Sequence, residues 1–309
     1  MTLRQLALTS SWLVTPVLLT VVSVLSACNE GTPARGQTET TRITPSSALG
    51  PTTSGPAAGA TTTESYGDRD LLLHTPPSST LPTQGVPLVV VLHGGGGNAK
   101  WMHEHLDLDS TADRDGLLVA YLEGTPGERR LTKNMRTWNA GTCCGAASKT
   151  NADDSGYVLG FIQSMIDRRR ADPRRIYLIG HSNGAMMSYR LACEHPETFA
   201  AVVVVSGSLL VDSCKASTGL ALLHVHGLAD DHVPVAGGLG QAAVTRDMSF
   251  RSVADSAQML RAAGATVDVV LVKDGPHAIA GLSDALKTQT SSTLVDTAAA
   301  FFKGKTRAL

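Results

Sequence analysis

The feature that most constrains this chain is a five-residue turn, Gly180-His181-Ser182-Asn183-Gly184, set between a strand and a helix. Before it, Arg175-Ile176-Tyr177-Leu178-Ile179 is a short apolar run with the length and β-branched content of a buried strand. After it, the segment from Ala185 to Cys193 reads as a helix that Pro196 stops. A turn this tight requires that the residues two before and two after the serine carry no side chain. It also forces the serine hydroxyl out beyond the end of the strand. Gly-x-Ser-x-Gly is a weak pattern by itself in a chain with 30 glycines, so its meaning depends on context.

That context is regular. From Tyr66 onward strands and helices alternate. Residues 70–74 read as an edge strand. Residues 87–93, 116–122, 175–179, 199–206, 221–226 and 266–272 read as buried strands, apolar along most of their length. Helices are expected over 106–114, from an Asp153 or Asp154 cap to about 170, over 252–263 and over 294–302. Apolar strands alternating with helices predict an α/β fold with a mostly parallel central sheet and helices on both faces. A hydrophobic fraction of 42% supports a core of that size.

In such sheets ligands bind beyond the carboxyl ends of the strands. Reading those ends gives His93-Gly94-Gly95, then Ser182, then His226-Gly227-Leu228-Ala229-Asp230, then Asp274-Gly275-Pro276-His277. Ser, Asp and His stand in the chain order of an α/β-hydrolase, with the serine on its nucleophile elbow. The roles follow from chemistry. Ser182 needs a base to become a nucleophile, His277 is placed to be that base, and Asp230 would fix its tautomer and offset its charge. Asp231 is the competitor, and the His-Gly-x-x-Asp spacing favours Asp230. The backbone N–H groups of Gly95 and Asn183 are the candidate oxyanion donors.

The first 27 residues read as a lipoprotein signal peptide. Arg4 provides the positive region and residues 12–24 the apolar one. Leu25-Ser26-Ala27-Cys28 resembles a lipobox, whose cysteine receives the lipid. Residues 28–65, rich in Thr, Ser, Pro, Gly and Ala, are expected to be a disordered tether, and 66–309 the catalytic domain. The expected location is thus outside the cytoplasm, anchored to the cell membrane through Cys28 or secreted. A net charge of −1 provides no basic field for nucleic acid. Cys143, Cys144, Cys193 and Cys214 form an even set in an oxidising compartment, which suggests two disulfides. Neighbouring cysteines rarely bridge each other, so Cys143 and Cys144 are each expected to reach Cys193 or Cys214 across 50–70 residues. Such bridges would contribute about 4 kcal/mol each. No cofactor or metal is expected. His224 and His226 share a strand face but lack a third ligand, and His103-Glu104-His105 reads as a solvated loop.

From Pro87 onward the chain resembles the polyhydroxybutyrate depolymerase/feruloyl esterase-like group of α/β-hydrolases, related to carbohydrate esterase family 1. The residues that carry this are residues 92–98, Trp138-Asn139-Ala140-Gly141 with Cys143-Cys144-Gly145, residues 180–187, residues 190–194 and His224-Val225-His226-Gly227 with Asp230. The resemblance implies a serine esterase acting on short acyl, hydroxycinnamoyl-polysaccharide or polyhydroxyalkanoate esters, and it carries the three catalytic roles onto Ser182, Asp230 and His277. One departure is that the Trp-Pro-Gly often following the family's histidine is replaced by Ala278-Ile279-Ala280, which removes an aromatic wall. Trp138 is either a wall of the cleft or a packing residue of its loop. With His181 it is a candidate substrate contact, although His181 and His93 are also expected to make structural hydrogen bonds. The competing readings are a surface-anchored binding protein of the same fold without turnover, and a peptidase or dienelactone-type hydrolase. A monomer is expected.

Overall fold

The structure is a computed structural model that describes residues 59–77, 85–242, 245 and 247–308. The signal peptide, Cys28 and the tether up to residue 58 lie outside the described residues. Among the described residues no helix is long and apolar enough to cross a membrane.

The chain opens with β1 (Ala60–Tyr66), β2 (Arg69–Thr75) and β3 (Val86–Leu92), followed by α1 (Ala99–Leu106), α2 (Asp109–Asp115) and β4 (Leu118–Leu122). After a long loop come α3 (Gly145–Lys149), α4 (Asp154–Asp167), β5 (Ala171–His181), α5 (Asn183–Glu194), β6 (Ala201–Val205) and β7 (Ala221–Gly227). A two-residue pair, β8 (Gly238–Leu239) and β9 (Ser249–Phe250), precedes α6 (Val253–Ala262), β10 (Thr266–Val272), α7 (Ile279–Thr290) and α8 (Leu294–Phe302).

Eight strands form one sheet in the order β1-β2-β4-β3-β5-β6-β7-β10. From β4 to β10 every neighbouring pair is parallel, and only β2 runs against its two neighbours. Alternate residues of each strand face opposite sides of the sheet. Leu88, Val90, Leu178, Val202 and Leu222 pack with Val158, Phe161, Leu191 and Leu260 of α4, α5 and α6. Val89, Val91, Ile179, Val203 and Val205 pack with Met102, Leu282, Leu286 and Phe302 of α1, α7 and α8. Both faces are thus covered, which is why the central strands are apolar along most of their length.

Several expectations need correction. Residues 70–74 belong to β2, which is not an edge strand. The edge on that side is β1, which begins at Ala60, inside the stretch expected to be tether, and the opposite edge is β10, which is only partly buried. Its Ala-Thr-Thr-Thr-Glu-Ser-Tyr sequence looks like tether because an edge strand here needs little apolar surface. It is held instead by the β2 ladder and by Glu64 pairing with Arg170. His103 and His105 lie on α1, which Asn98 caps by accepting the Trp101 N–H at 2.7 Å, rather than in a loop.

The disulfides also differ. Cys193 pairs with Cys214, and Cys143 with its neighbour Cys144. The segment after β6 runs back along the end of α5, where Lys215 N–H bonds the Cys193 carbonyl at 2.9 Å, so Cys214 meets Cys193 across only 21 positions. Cys143 and Cys144 sit in a loop folded on itself, in which Ala140 N–H bonds the Cys143 carbonyl and Cys144 N–H the Trp138 carbonyl. The long-range stabilisation expected of them is therefore absent, and the Cys193–Cys214 bridge contributes about 3 kcal/mol in the chain-entropy treatment.

Candidate active site

β5 delivers its last residues to the carboxyl end of the sheet and the chain turns at once into α5. Ser182 makes that turn at φ 54°, ψ −120°, a conformation disfavoured for a residue with a side chain. Its N–H is tied to the Val205 carbonyl at 2.9 Å. A Cβ on Gly180 would run into the Gly184 carbonyl, and one on Gly184 into the backbone carbonyls of Leu92 and His93. Both glycines are therefore required by backbone contact.

Asp230 follows β7 and His277 follows β10, and these two strands are neighbours in register. His277 Nε2 lies 2.9 Å from Ser182 Oγ, and His277 Nδ1 donates to Asp230 Oδ2 at 2.8 Å. Asp230 Oδ1 accepts the N–H groups of His232 and Val233 at 2.9 and 2.8 Å. Burial by itself would raise the Asp230 carboxyl. The hydrogen bonds from His226 and His277 outweigh it and hold the group far below the usual carboxylate range. Asp231, the competitor, points outward to the ring of His232.

Gly95 and Asn183 are adjacent: a Cβ on Gly95 would touch the Asn183 Cβ at 3.4 Å. His93 shapes the glycine loop from beneath. Its Nε2 accepts the Gly124 N–H at 3.0 Å, which leaves Nδ1 as the donor to the Gly94 carbonyl at 2.8 Å. Burial pushes His93 down to about 4, so the ring stays neutral.

Trp138 is no cleft wall. It is fully buried. Its indole N–H donates to the His93 carbonyl at 2.9 Å, and its backbone N–H and C=O pair with the Asn183 side chain at 2.7 and 3.0 Å. It is a strut that holds the glycine loop against the start of α5. His181 reaches the cavity wall but is 5% exposed, and its Nε2 donates to the His277 carbonyl at 2.9 Å. It steadies the loop that carries His277. Burial and the neighbouring His277 push it down to about 3.

Four features escaped the sequence reading. The His232 ring stacks on His277. Cys144 faces the cavity beside the glycine loop. Met135, Met186, Met248, Val233 and Phe250 give the cavity an apolar lining, and Glu128, Arg129 and Lys149 stand at its rim. His224 and His226 have all four ring nitrogens engaged in hydrogen bonds. The two-residue period of a strand could have revealed that both face Tyr189 and Asp230. Asp230, His232 and His277 could converge on a cation, but Asp230 and His277 already bond each other.

The cavity above Ser182 has a volume of about 850 Å³. An open, apolar cavity with a hydrogen-bonded serine and histidine at its floor is suited to acyl transfer. Over residues 70–261, more than half of its length, the chain matches the family of esterase PHB depolymerases. The chain belongs to this family. Among relatives of this PHB-depolymerase-type chain, NocK of Nocardia uniformis subsp. tsuyamanensis is 34% identical over 189 residues, covering 59% of this chain and 52% of NocK. Feruloyl esterase B of Piromyces equi is 29% identical over 179 residues, covering 56% of this chain and 32% of that enzyme. The bifunctional acetylxylan esterase/xylanase XynS20E of Neocallimastix patriciarum is 28% identical over 163 residues, covering 53% and 22%. The chain thus spans about half or less of the length of these relatives. Among solved structures, a thermostable esterase superposes with a TM-score of 0.53 at 16% identity, covering 81% of this chain and 63% of that one. A carboxylesterase from Mesorhizobium loti superposes with a TM-score of 0.53 at 15% identity, covering 75% and 97%. These likenesses establish the α/β-hydrolase fold.

Proposed function

We propose that this PHB-depolymerase-type protein is an exported serine esterase that cleaves carboxylic esters through an acyl-enzyme. The observation that carries this reading is the line from Ser182 Oγ through His277 to Asp230, with links of 2.9 and 2.8 Å, at the floor of the cavity. His277 Nε2 takes the Ser182 proton as Oγ attacks the ester carbonyl. The N–H groups of Gly95 and Asn183 receive the developing oxyanion, the second of them at a helix N-terminus. His277 then gives the proton to the departing alcohol, and Asp230 holds the Nδ1–H and offsets the imidazolium charge. Water, activated by the same histidine, releases the acid.

The acyl group is short or hydroxycinnamoyl, carried on a polysaccharide or within a hydroxyalkanoate polyester. Three methionines, Val233 and Phe250 form an apolar surface that adapts to acids of different size. Relatives named feruloyl esterase and acetylxylan esterase support the same range. The signal-like residues 1–27 and the lipobox-like Cys28 support a location outside the cytoplasm with a lipid anchor, since two or three acyl chains anchor stably where one does not.

The purified protein is expected to hydrolyse p-nitrophenyl acetate and butyrate and to be labelled at Ser182 by a fluorophosphonate. Ser182→Ala loses both properties. A folded protein that is neither active nor labelled overturns the reading. Comparing methyl ferulate, acetylated xylan and hydroxybutyrate oligomers identifies the acid. Detergent-phase partitioning that disappears in Cys28→Ser tests the anchor.

A further inference from the structure

A line of buried polar groups continues behind Asp230, away from the cavity. Tyr189 Oη lies 2.6 Å from His224 Nδ1. His224 Nε2 lies 2.9 Å from His226 Nδ1. His226 Nε2 lies 2.8 Å from the Val233 carbonyl and 3.2 Å from Asp230 Oδ2. All three side chains are fully buried.

The protons in this line have a single arrangement. A carbonyl only accepts, so His226 carries its proton on Nε2 and shares it between the Val233 carbonyl and Asp230. Its Nδ1 is then an acceptor, so His224 also carries its proton on Nε2. His224 Nδ1 is left to accept from the Tyr189 hydroxyl. Every donor points towards Asp230. Burial supports this order, since it pushes the Tyr189 hydroxyl far above its ordinary range and the His224 ring well below its own. Tyr189 keeps its proton and His224 gains none.

We infer that Tyr189, His224 and His226 are positioning residues that fix the Asp230 carboxylate for His277. The inference rests on the proposed role of Ser182, His277 and Asp230. Asp230 stands on a loop between β7 and β8. Its Oδ1 is held by that loop's own N–H groups, whereas its Oδ2, the oxygen that faces His277, has His226 as its other partner. His226 also grips the Val233 carbonyl, which closes the loop from 230 to 233. The far end of the line is Tyr189, on α5, the helix that begins at Ser182. The hydrogen bonds therefore close a ring, running from Ser182 through His277, Asp230, His226 and His224 to Tyr189 and back along α5. Nucleophile and carboxylate are fixed to one another through the core as well as through His277. Packing alone does not call for this arrangement. Apolar residues would fill the same strand positions without requiring three buried polar groups to be satisfied.

Two measurements on the full protein test the inference. Nitrogen-15 shifts of the His224 and His226 rings are expected to show the Nε2–H tautomer for both. An Nδ1–H tautomer in either ring overturns the inference, and this readout needs no esterase activity. Kinetics with p-nitrophenyl butyrate, counted per site titrated with fluorophosphonate, form the second test. In His226→Leu, kcat per titrated site is expected to fall roughly 10- to 100-fold, as misplacement of a catalytic group does, with KM within about twofold. His226→Gln, whose amide restores a donor to Asp230, recovers part of the loss. Tyr189→Phe keeps the ring and loses a smaller part of kcat, and it carries the test if His226→Leu does not fold. Titrating the sites removes any loss that is only unfolded protein. An unchanged kcat per site in Tyr189→Phe and in every folded His226 variant overturns the inference. A wild-type protein without esterase activity would sink the proposed function, and the tautomers would still decide the proton order.

Discussion

The ring of His232 lies flat against the ring of His277, with centroids 4.5 Å apart and planes 7° from parallel. His232 is itself held by Asp231, whose Oδ1 lies 2.8 Å from its Nδ1. The His277 imidazole is thus clamped on one face by a second imidazole and on its edge by Asp230. A flat neighbour restricts rotation of His277 and leaves its Nε2 free to face Ser182.

Removing that neighbour loosens the base. His232→Ala is expected to lower kcat/KM for p-nitrophenyl butyrate about tenfold, because His277 then samples unproductive orientations. His232→Phe keeps a flat ring and retains most of the activity. Steady-state kinetics of both variants decide the matter. Equal losses in the two would show that the ring's nitrogen, and not its face, is what matters.

Trp138 supplies the complementary case. As a strut and not a wall, its loss acts on the glycine loop and not on substrate contact. Trp138→Phe keeps most of the volume and removes the bond to the His93 carbonyl, so kcat should fall while KM for esters of different acids stays within about twofold. A KM that rises selectively for aromatic acids would return Trp138 to the cleft.

The two disulfides should differ in what they stabilise. Replacing Cys193 and Cys214 by serine removes a closed loop of 21 positions. At about 3 kcal/mol this lowers Tm by roughly 6 to 12 °C for a domain of this size. The Cys143–Cys144 bridge closes no such loop. Serine at both positions should move Tm much less, and its effect should appear in activity, since Cys144 faces the cavity. Scanning calorimetry of the two double variants compares them directly.

Acid should unfold the protein through its buried histidines. His93 and His181 are held down to about 4 and about 3, and His224 lies well below its ordinary value, in each case chiefly by burial. The unfolded chain takes up these protons near pH 6.5 and the folded one does not. Their neutral burial therefore costs nothing above about pH 6.5, and stability falls as pH drops from there towards 4. The slope is about 1.4 kcal/mol per pH unit for each proton taken up. Tm at pH 5 should lie clearly below Tm at pH 7. A flat profile between these values would contradict the burial argument.

Much of this arrangement was legible in the sequence, for a definite reason. Ser182, Asp230 and His277 each follow an apolar strand, and a parallel sheet gathers its strand ends on one side, so linear position implies spatial meeting. Gly180 and Gly184 were legible because the turn admits no side chain. Sideways relations were not legible. That His232 stacks on His277, that Trp138 turns inward, and that Cys143 turns to Cys144 depend on how loops fold over the sheet edge, and local composition does not encode it. β1 was hidden for the opposite reason. An edge strand covered on little of its surface has the same Thr-rich composition as a tether, and its partner strand alone reveals it.

One wall of the cavity comes from the segment between Gly127 and Met135, which also carries the almost fully exposed Leu131. Just past this segment, Arg136 and the Gly96–Gly97 backbone of the glycine loop exchange hydrogen bonds. The segment donates nothing to Ser182, His277 or Asp230. This part of the cavity wall is therefore separate from the residues proposed to break the ester bond. Grafting a different nine-residue segment between 127 and 135 would reshape one wall of the cavity while leaving Ser182, His277 and Asp230 in place.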